Sequence, residues 1–580
     1  MKSESSIHSR GPAKIYSAAG FCLALILPAF AAAAQSQTAP TPAIKLDQVG
    51  YLPKSVKLAL VSAPAARFRV LRVQDGASVL EGKVSPAVSD RDSGDQVASV
   101  DFSALQAPGH YCLEIPGVGR SWSFQIGDEV YARTYYLGMR AFYGQRCGTA
   151  VDLGAEFPGY RYAACHLHGG FHPSTGKTGV RDNVGGWHDA GDYGRYVVNS
   201  AISVANLMWA WEFYGDRIRK IPLQIPESGR AVPDLLAETR WNLEWMLKMQ
   251  DEDGGVFHKQ TSEAFPGFVA PDADGTLSYV IGTGAAPFKS TCASADLAAS
   301  AAIAARVFQP YDAAFAAHSL QAAERAWTWA LAHPRVAFKN PKGISTGEYG
   351  DDQCGDELLW AAAELWRSTG KVEYNRYFLT HWAAFNKALE LGDNWKDVAC
   401  MGLWTYALAK GGDADVIAGI RKQSVDVAQK IADRTLANPY HVSLRAQDYI
   451  WGSNAVAASY GILLLIADRF APSTAFRAAA ADNLHYLLGR NTFSLSFVTQ
   501  VGAHSFKHPH HRPSGALGRP WPGLLAGGPN AGRQDAALAK LPADLPPAKA
   551  YLDDQASYAS NEIAINWQSA FVFLIASQLP

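Results

Sequence analysis

The sequence predicts a small all-β sandwich followed by a large all-α domain built as a closed ring of helical hairpins. Three observations predict it. About 80 residues near the start carry short alternating strands punctuated by Gly and Asp. From about residue 128 the hydrophobic period becomes helical and stays so to the end. No short motif repeats along the helical stretch, which favours a closed ring over a solenoid. At 580 residues the chain is also too long for one ordinary domain.

Taken in order, the first segment is a signal peptide over residues 1–34. Lys2, Arg10 and Lys14 precede an apolar run from Phe21 to Phe30, and Ala31–Ala34 offer the small residues that a signal peptidase cuts beside. Pro28 interrupts the run, which is too short to span a bilayer. The mature chain is expected to be secreted or periplasmic, with no membrane attachment. Residues 35–43 form a polar, Pro-containing linker. Residues 44–127 read as an immunoglobulin-like sandwich, with strands at Lys57–Val61, Arg67–Val73 and Gly109–Ile115 and no catalytic constellation. Residues 128–580 form the helical domain. Helices are expected at Pro233–Met249, Ser294–Val307, Ala313–Ala332, Asp356–Ser368, Leu444–Arg469, Ala475–Leu488 and Glu562–Gln578.

A formal net charge of −1 without a long basic run argues against nucleic acid and anionic membranes as partners. The 16 Trp, 24 Tyr and 25 Phe fill cores, and equally suit a cleft whose rings stack on pyranose faces. Six cysteines survive processing, an even number that suits disulfides in an exported chain.

Two motifs carry chemistry. Gly185-Gly186-Trp187-His188-Asp189-Ala190-Gly191-Asp192-Tyr193-Gly194 sets two carboxylates three apart on a glycine-rich loop, where both can converge on one water. By itself the stretch also fits a calcium loop or a capped helix start. The second is Ser557-Tyr558-Ala559-Ser560-Asn561-Glu562, with Glu562 opening an otherwise apolar helix. Apolar neighbours raise a carboxyl's pKa and keep it protonated, although a Glu in a first turn also answers the helix dipole. A polar Asp pair and a separate apolar-flanked Glu are the parts of glycoside hydrolysis, one acid for the leaving oxygen and one base for water.

These two motifs, with Pro509-His510-His511-Arg512 between them, resemble the signatures of glycoside hydrolase family 9. Phe288–Asp296 and Asp356–Trp360 are similar to further family segments. The resemblance implies an (α/α)6 barrel behind an N-terminal immunoglobulin-like domain, and an inverting enzyme acting on β-1,4-glucan or its oligosaccharides. It casts Asp192 as base, Asp189 as its partner in holding water, and Glu562 as acid. His510, Arg512 and Tyr558 become substrate-binding residues, and inversion calls for carboxyl groups about 6.5–9.5 Å apart. The chemistry needs no cofactor. Cys147, Cys165, His166 and His188 match a structural zinc set of the same subgroup, with a Cys147–Cys165 disulfide as the competing reading. Asp352, Asp356 and Glu357 are the candidate calcium ligands, equally explained as a capped helix start. An exo-acting cellodextrinase or glucosaminidase and a non-catalytic binder are the alternatives, the last disfavoured by three intact carboxyls. Pro580 closely follows the last helix, so soluble or amorphous glucan is expected to be turned over better than crystalline cellulose. A monomer is expected.

Overall fold

The computed structural model describes residues 39–390 and 392–580; the signal peptide expected over residues 1–34 lies outside them. Residues 40 to 126 form a two-sheet sandwich. One sheet has the order Ile44–Lys45, Leu58–Val61, Gln96–Asp101, Val88–Ser89. The other runs Gly50–Tyr51, Phe124–Ile126, Gly109–Ile115, Arg67–Arg72, Ser78–Lys83, with Gly119–Arg120 on the flank of Gly109–Ile115. Every pairing of these strands is antiparallel except Phe124–Ile126 with Gly50–Tyr51, and Pro40 adds an isolated parallel bridge to Arg120. The side-chain period of two decides the interior. In Arg67–Arg72, Phe68 and Val70 point inward between exposed arginines, and they meet Tyr111, Leu113 and Phe124 in one core.

The remainder is the expected double ring of helices. The inner ring is Val197–Ile218, Thr291–Phe308, Gly355–Thr369, Ala399–Leu408, Ser453–Phe470 and Ile565–Ala576. Ala132–Gly144, Asp234–Lys248, Ala313–Ala332, Val372–His381, Ala414–Ala437 and Thr474–Leu487 lie outside, each leading the chain into the next inner helix. Composition sorts the two rings. Thr291–Phe308, rich in Ala and Ser, is buried all round except at Arg306. It is apolar and long enough to cross a membrane but is core here. Ala414–Ala437 buries only a stripe that includes Ile420, Ser424, Val427 and Ile431, the one-sided pattern of a helix with water on its other face.

Helix ends shift where caps or glycines override periodicity. The Ser290 hydroxyl accepts the Ala293 amide and starts the inner helix at Thr291, three residues before the expected Ser294. Gly452, at φ 86°, delays the helix expected from Leu444 until Ser453. Strand structure also occurs within the barrel: Gly169–Phe171, Ser278–Ile281, Lys259–Thr261 and Arg195–Tyr196 form a four-stranded sheet in its loops. Pieces this short carry too few residues for an alternation signal.

The sandwich is locked to the barrel loops. Gln48 donates to the Ser494 carbonyl at 2.9 Å and accepts the His504 amide at 2.7 Å. Asp95 accepts from Tyr440 and Lys549, each at 2.6 Å, and Asp47 pairs with His485 at 2.8 Å.

Candidate active site

Chain direction puts the site at one end of the barrel. Asp189 and Asp192 precede inner helix Val197–Ile218, Tyr349 precedes Gly355–Thr369, Trp395 precedes Ala399–Leu408, Trp451 precedes Ser453–Phe470, and Glu562 precedes Ile565–Ala576. All line one cleft of about 860 Å³, together with Phe265, Glu348, His510, Arg512, Tyr558 and Trp567. The inner-helix N-termini gather here, and their dipoles favour negative charge.

Asp189 is fully buried. Its Oδ1 accepts from Asn199 at 2.6 Å and its Oδ2 from the Tyr349 hydroxyl at 2.7 Å. Burial pushes its carboxyl up to about 7, and the Asn199 and Tyr349 hydrogen bonds oppose the rise. Asp192 spends Oδ2 on the Gly194 amide at 2.9 Å, while Oδ1 has no protein donor among the described residues. The two aspartates therefore differ: Asp189 is fixed at both oxygens, and Asp192 keeps one for a ligand.

Glu562 does not open the final helix. It lies in extended backbone (φ −72°, ψ 162°) after the short helical turn Tyr558–Asn561, and the helix proper begins at Ile565. The first-turn dipole explanation is thereby removed. Its backbone bridges to His510, and Gly527 donates to its carbonyl at 2.8 Å. Burial, reinforced by the charges of Asp192 and Asp189, drives its carboxyl well above the usual glutamate range. A glutamate whose carboxyl favours its proton thus shares the cleft with an aspartate that has a free oxygen.

His510 donates from Nδ1 to the Gln555 carbonyl at 2.6 Å, which leaves Nε2 for a ligand, and burial lowers the ring's pKa. Arg512 spends Nε on the Pro266 carbonyl and one Nη1 proton on Gly191 O, at 2.8 and 3.0 Å. It ties the aspartate loop to the loop above it, and its guanidinium lies 5.4 Å from the centre of Phe265. Tyr558 donates to the Gln534 carbonyl, and its ring lies 5.4 Å from Trp451 and 5.8 Å from His510. Trp451, Phe265 and Tyr558 are among the large apolar side chains left exposed, a pattern that suits stacking on sugar rings. Sequence reading missed Tyr349, Trp395, Trp451, Phe265 and Asn199. Three of them share a usable signal, an aromatic residue two to six positions before an inner helix.

Cys147, Cys165, His166 and His188 converge, one donor atom from each lying within 4.8 Å of the others. Each cysteine sulfur sits 3.8 Å from a histidine nitrogen (Cys147 to His166 Nδ1, Cys165 to His188 Nε2). His166 turns its other nitrogen to Asp274 at 3.1 Å, the outer contact that orients a metal-bound imidazole. The two cysteines are unbonded to each other; the disulfide among the described residues joins Cys292 and Cys354. Two thiols and two imidazoles fit tetrahedral zinc. The group adjoins Asp189 through His188 and stays outside the cleft lining.

Of the calcium candidates, Asp356 and Glu357 are buried and Asp352 is exposed. Asp296 and Asp351 are the buried carboxylates facing Asp356, and neither Glu357 oxygen has a protein partner among the described residues.

Residues 131–575 match glycosyl hydrolase family 9, and residues 39–120 match the cellulase N-terminal ig-like domain. Endoglucanase D of Acetivibrio thermocellus is 34% identical over 540 residues, covering 92% of this chain and 83% of that protein. A xyloglucan-specific endo-β-1,4-glucanase of Bacteroides ovatus is 35% identical, covering 93% and 94%. Among solved structures, a zinc-binding triple mutant of endoglucanase J30 superimposes with a TM-score of 0.84 at 35% identity, covering 91% of this chain and 99% of that one.

Proposed function

Because the chain belongs to glycosyl hydrolase family 9, we propose that it hydrolyses internal β-1,4-glucosidic bonds of glucans by inversion, with Glu562 as general acid and Asp192 as general base. The observation that carries this reading is the contrast between the carboxyls. Glu562 has its carboxyl driven well above the glutamate range by burial and by the neighbouring Asp192 and Asp189 carboxyls, whereas Asp192 retains a free oxygen at the cleft.

The steps follow from the residues. A glucan chain lies across Trp451, Tyr558 and Phe265, with a hydroxyl donating to His510 Nε2. Glu562 gives its proton to the glycosidic oxygen as the bond to the anomeric carbon breaks. A water on the opposite face attacks that carbon and passes its proton to Asp192. Asp189, fixed by Asn199 and Tyr349, accepts the water's second hydrogen bond on a remaining oxygen lone pair and aims it. Endo action is supported by a cleft whose aromatic walls are exposed and by similarity to endoglucanases along most of the chain. Cys147, Cys165, His166 and His188 would hold zinc, whose role is to brace the Asp189–Asp192 loop. Buried Asp356 and Glu357, with Asp296 and Asp351, would take calcium as a second structural ion.

The test separates acid from base. Glu562→Gln should lose about 10³-fold or more on cellohexaose yet retain turnover of dinitrophenyl cellobioside, whose leaving group needs no proton. Asp192→Asn should lose both. Equal losses in the two variants on both substrates would overturn the assignment.

A further inference from the structure

Lys259 is a fully buried lysine in the strand Lys259–Thr261, away from the cleft lining. Its backbone and side chain hold different walls of the site. On the backbone side, Lys259 pairs with Tyr196, and the Val197 amide donates to the His258 carbonyl at 3.0 Å. The strand thus fixes the segment that leaves Asp192 and enters the inner helix.

On the other side, the ammonium donates to Gly347 O and Asn340 Oδ1, both at 2.7 Å, and to Thr346 Oγ1 at 3.0 Å. Three donors meet three close acceptors, so the group is satisfied as a cation. Asn340 extends the clamp, donating to the Thr346 carbonyl at 2.7 Å and, from its amide, to Glu348 at 2.9 Å. His258 reaches the Glu348 carbonyl at 3.0 Å. The next residue is Tyr349, which carries the hydroxyl on Asp189 and adopts φ 47°, a left-handed backbone that an aromatic residue keeps only under constraint. Asp192 and Glu348 are the anions facing the Lys259 ammonium. Burial lowers its pKa to about 7, so it is charged across the acidic range.

We propose that Lys259 is a positioning residue for the hydrolytic site: it clamps the 340–347 turn so that Tyr349 holds Asp189, and it supplies a buried cation facing Asp192 from outside the cleft lining. The proposal rests on Asp192 and Asp189 handling the attacking water. Its effect is therefore on kcat, with little change in substrate affinity.

The test is steady-state hydrolysis of cellohexaose by the full mature chain across pH 4–9, comparing wild type with Lys259→Met, Tyr349→Phe and the double variant, with melting temperatures alongside. Lys259→Met should lower kcat about 100-fold, the cost of an ångström-scale misplacement, with KM within threefold. Adding Tyr349→Phe to Lys259→Met should cost less than Tyr349→Phe costs alone, because both act through one hydrogen bond. A kcat within threefold of wild type, a KM changed as much as kcat, or fully multiplicative losses would overturn the proposal. If Lys259→Met gives no folded protein, Asn340→Ala, which removes one acceptor of the clamp, replaces it, judged by kcat, KM and the coupling to Tyr349→Phe. Failure of the parent reading is distinguishable, because Asp192→Asn would then remain active in the same assay.

Discussion

Gly191 lies between the two aspartates where their loop crosses the His510–Arg512 segment. A β-carbon there would stand 1.9 Å from the His510 carbonyl oxygen, 2.9 Å from its carbon and 3.3 Å from His511 Cα. These obstacles are backbone atoms, which cannot rotate aside. Contacts below 3.0 Å are not sustained, so Gly191→Ala must part the segments by roughly 1 Å. The hydrogen bonds from the Arg512 amide (2.9 Å) and Nη1 (3.0 Å) to Gly191 O lengthen with it. Asp192 moves with one segment and His510 with the other, and His510 is bridged to Glu562. An error of that size costs about 100-fold in kcat, or about 2.7 kcal/mol of barrier, while overpacking lowers stability by about 1–3 kcal/mol. The assay is initial rate on cellohexaose with thermal melting. The control is Gly419→Ala, in the outer helix Ala414–Ala437, where nothing lies within 4 Å of the new methyl. The control should keep full activity and gain slightly in stability. A Gly191→Ala enzyme within threefold of wild type and with an unchanged melting temperature would refute the reasoning.

Two further predictions concern stability. Asp189 has its carboxyl raised to about 7 from 3.8, so the folded state binds its proton more tightly than the unfolded state, and stability falls as pH rises from about 4 to 7. Asp189→Asn removes that cost: above pH 7 the variant should be more stable by about 2–4 kcal/mol, with the gain fading toward pH 4 as activity is lost throughout. Melting curves at pH 4, 6 and 8 check this, and a variant less stable than wild type at pH 8 would contradict it. For the metal group, elemental analysis should find one zinc per wild-type chain and less than 0.2 in Cys165→Ser, with a lower melting temperature and reduced kcat because His188 adjoins Asp189. A full complement of zinc in that variant would exclude this ligand set.

Much of this architecture was legible in the sequence because it rests on periodicity and on motifs that stay contiguous. The strand Gly109–Ile115 appears at its expected bounds, and Ala313–Ala332 does as well. The Asp189–Asp192 loop is legible because its glycines mark the close backbone approaches it makes. Glu562 was placed in a helix because its apolar neighbours continue the helical pattern, but the backbone stays extended to bridge His510. Tyr349, Trp395 and Trp451 were hidden for another reason. They come from three separate loops, and only the parity of the hairpins, which puts every inner-helix start at one end, brings them together. The Cys292–Cys354 bridge, 62 residues apart, needs the same knowledge of which helices are neighbours. Asp352 and Asp351 are adjacent in sequence, and the turn before Cys354 buries Asp351 and exposes Asp352.

The measurement that tests the central claim most directly is the anomeric configuration of the sugar released from cellohexaose, read by NMR in the first minutes, with Glu562→Gln in parallel. The account predicts mid-chain cleavage with α-configured new reducing ends in the wild type and loss of cleavage in the variant. β-Configured product, or wild-type rates from Glu562→Gln, would contradict it.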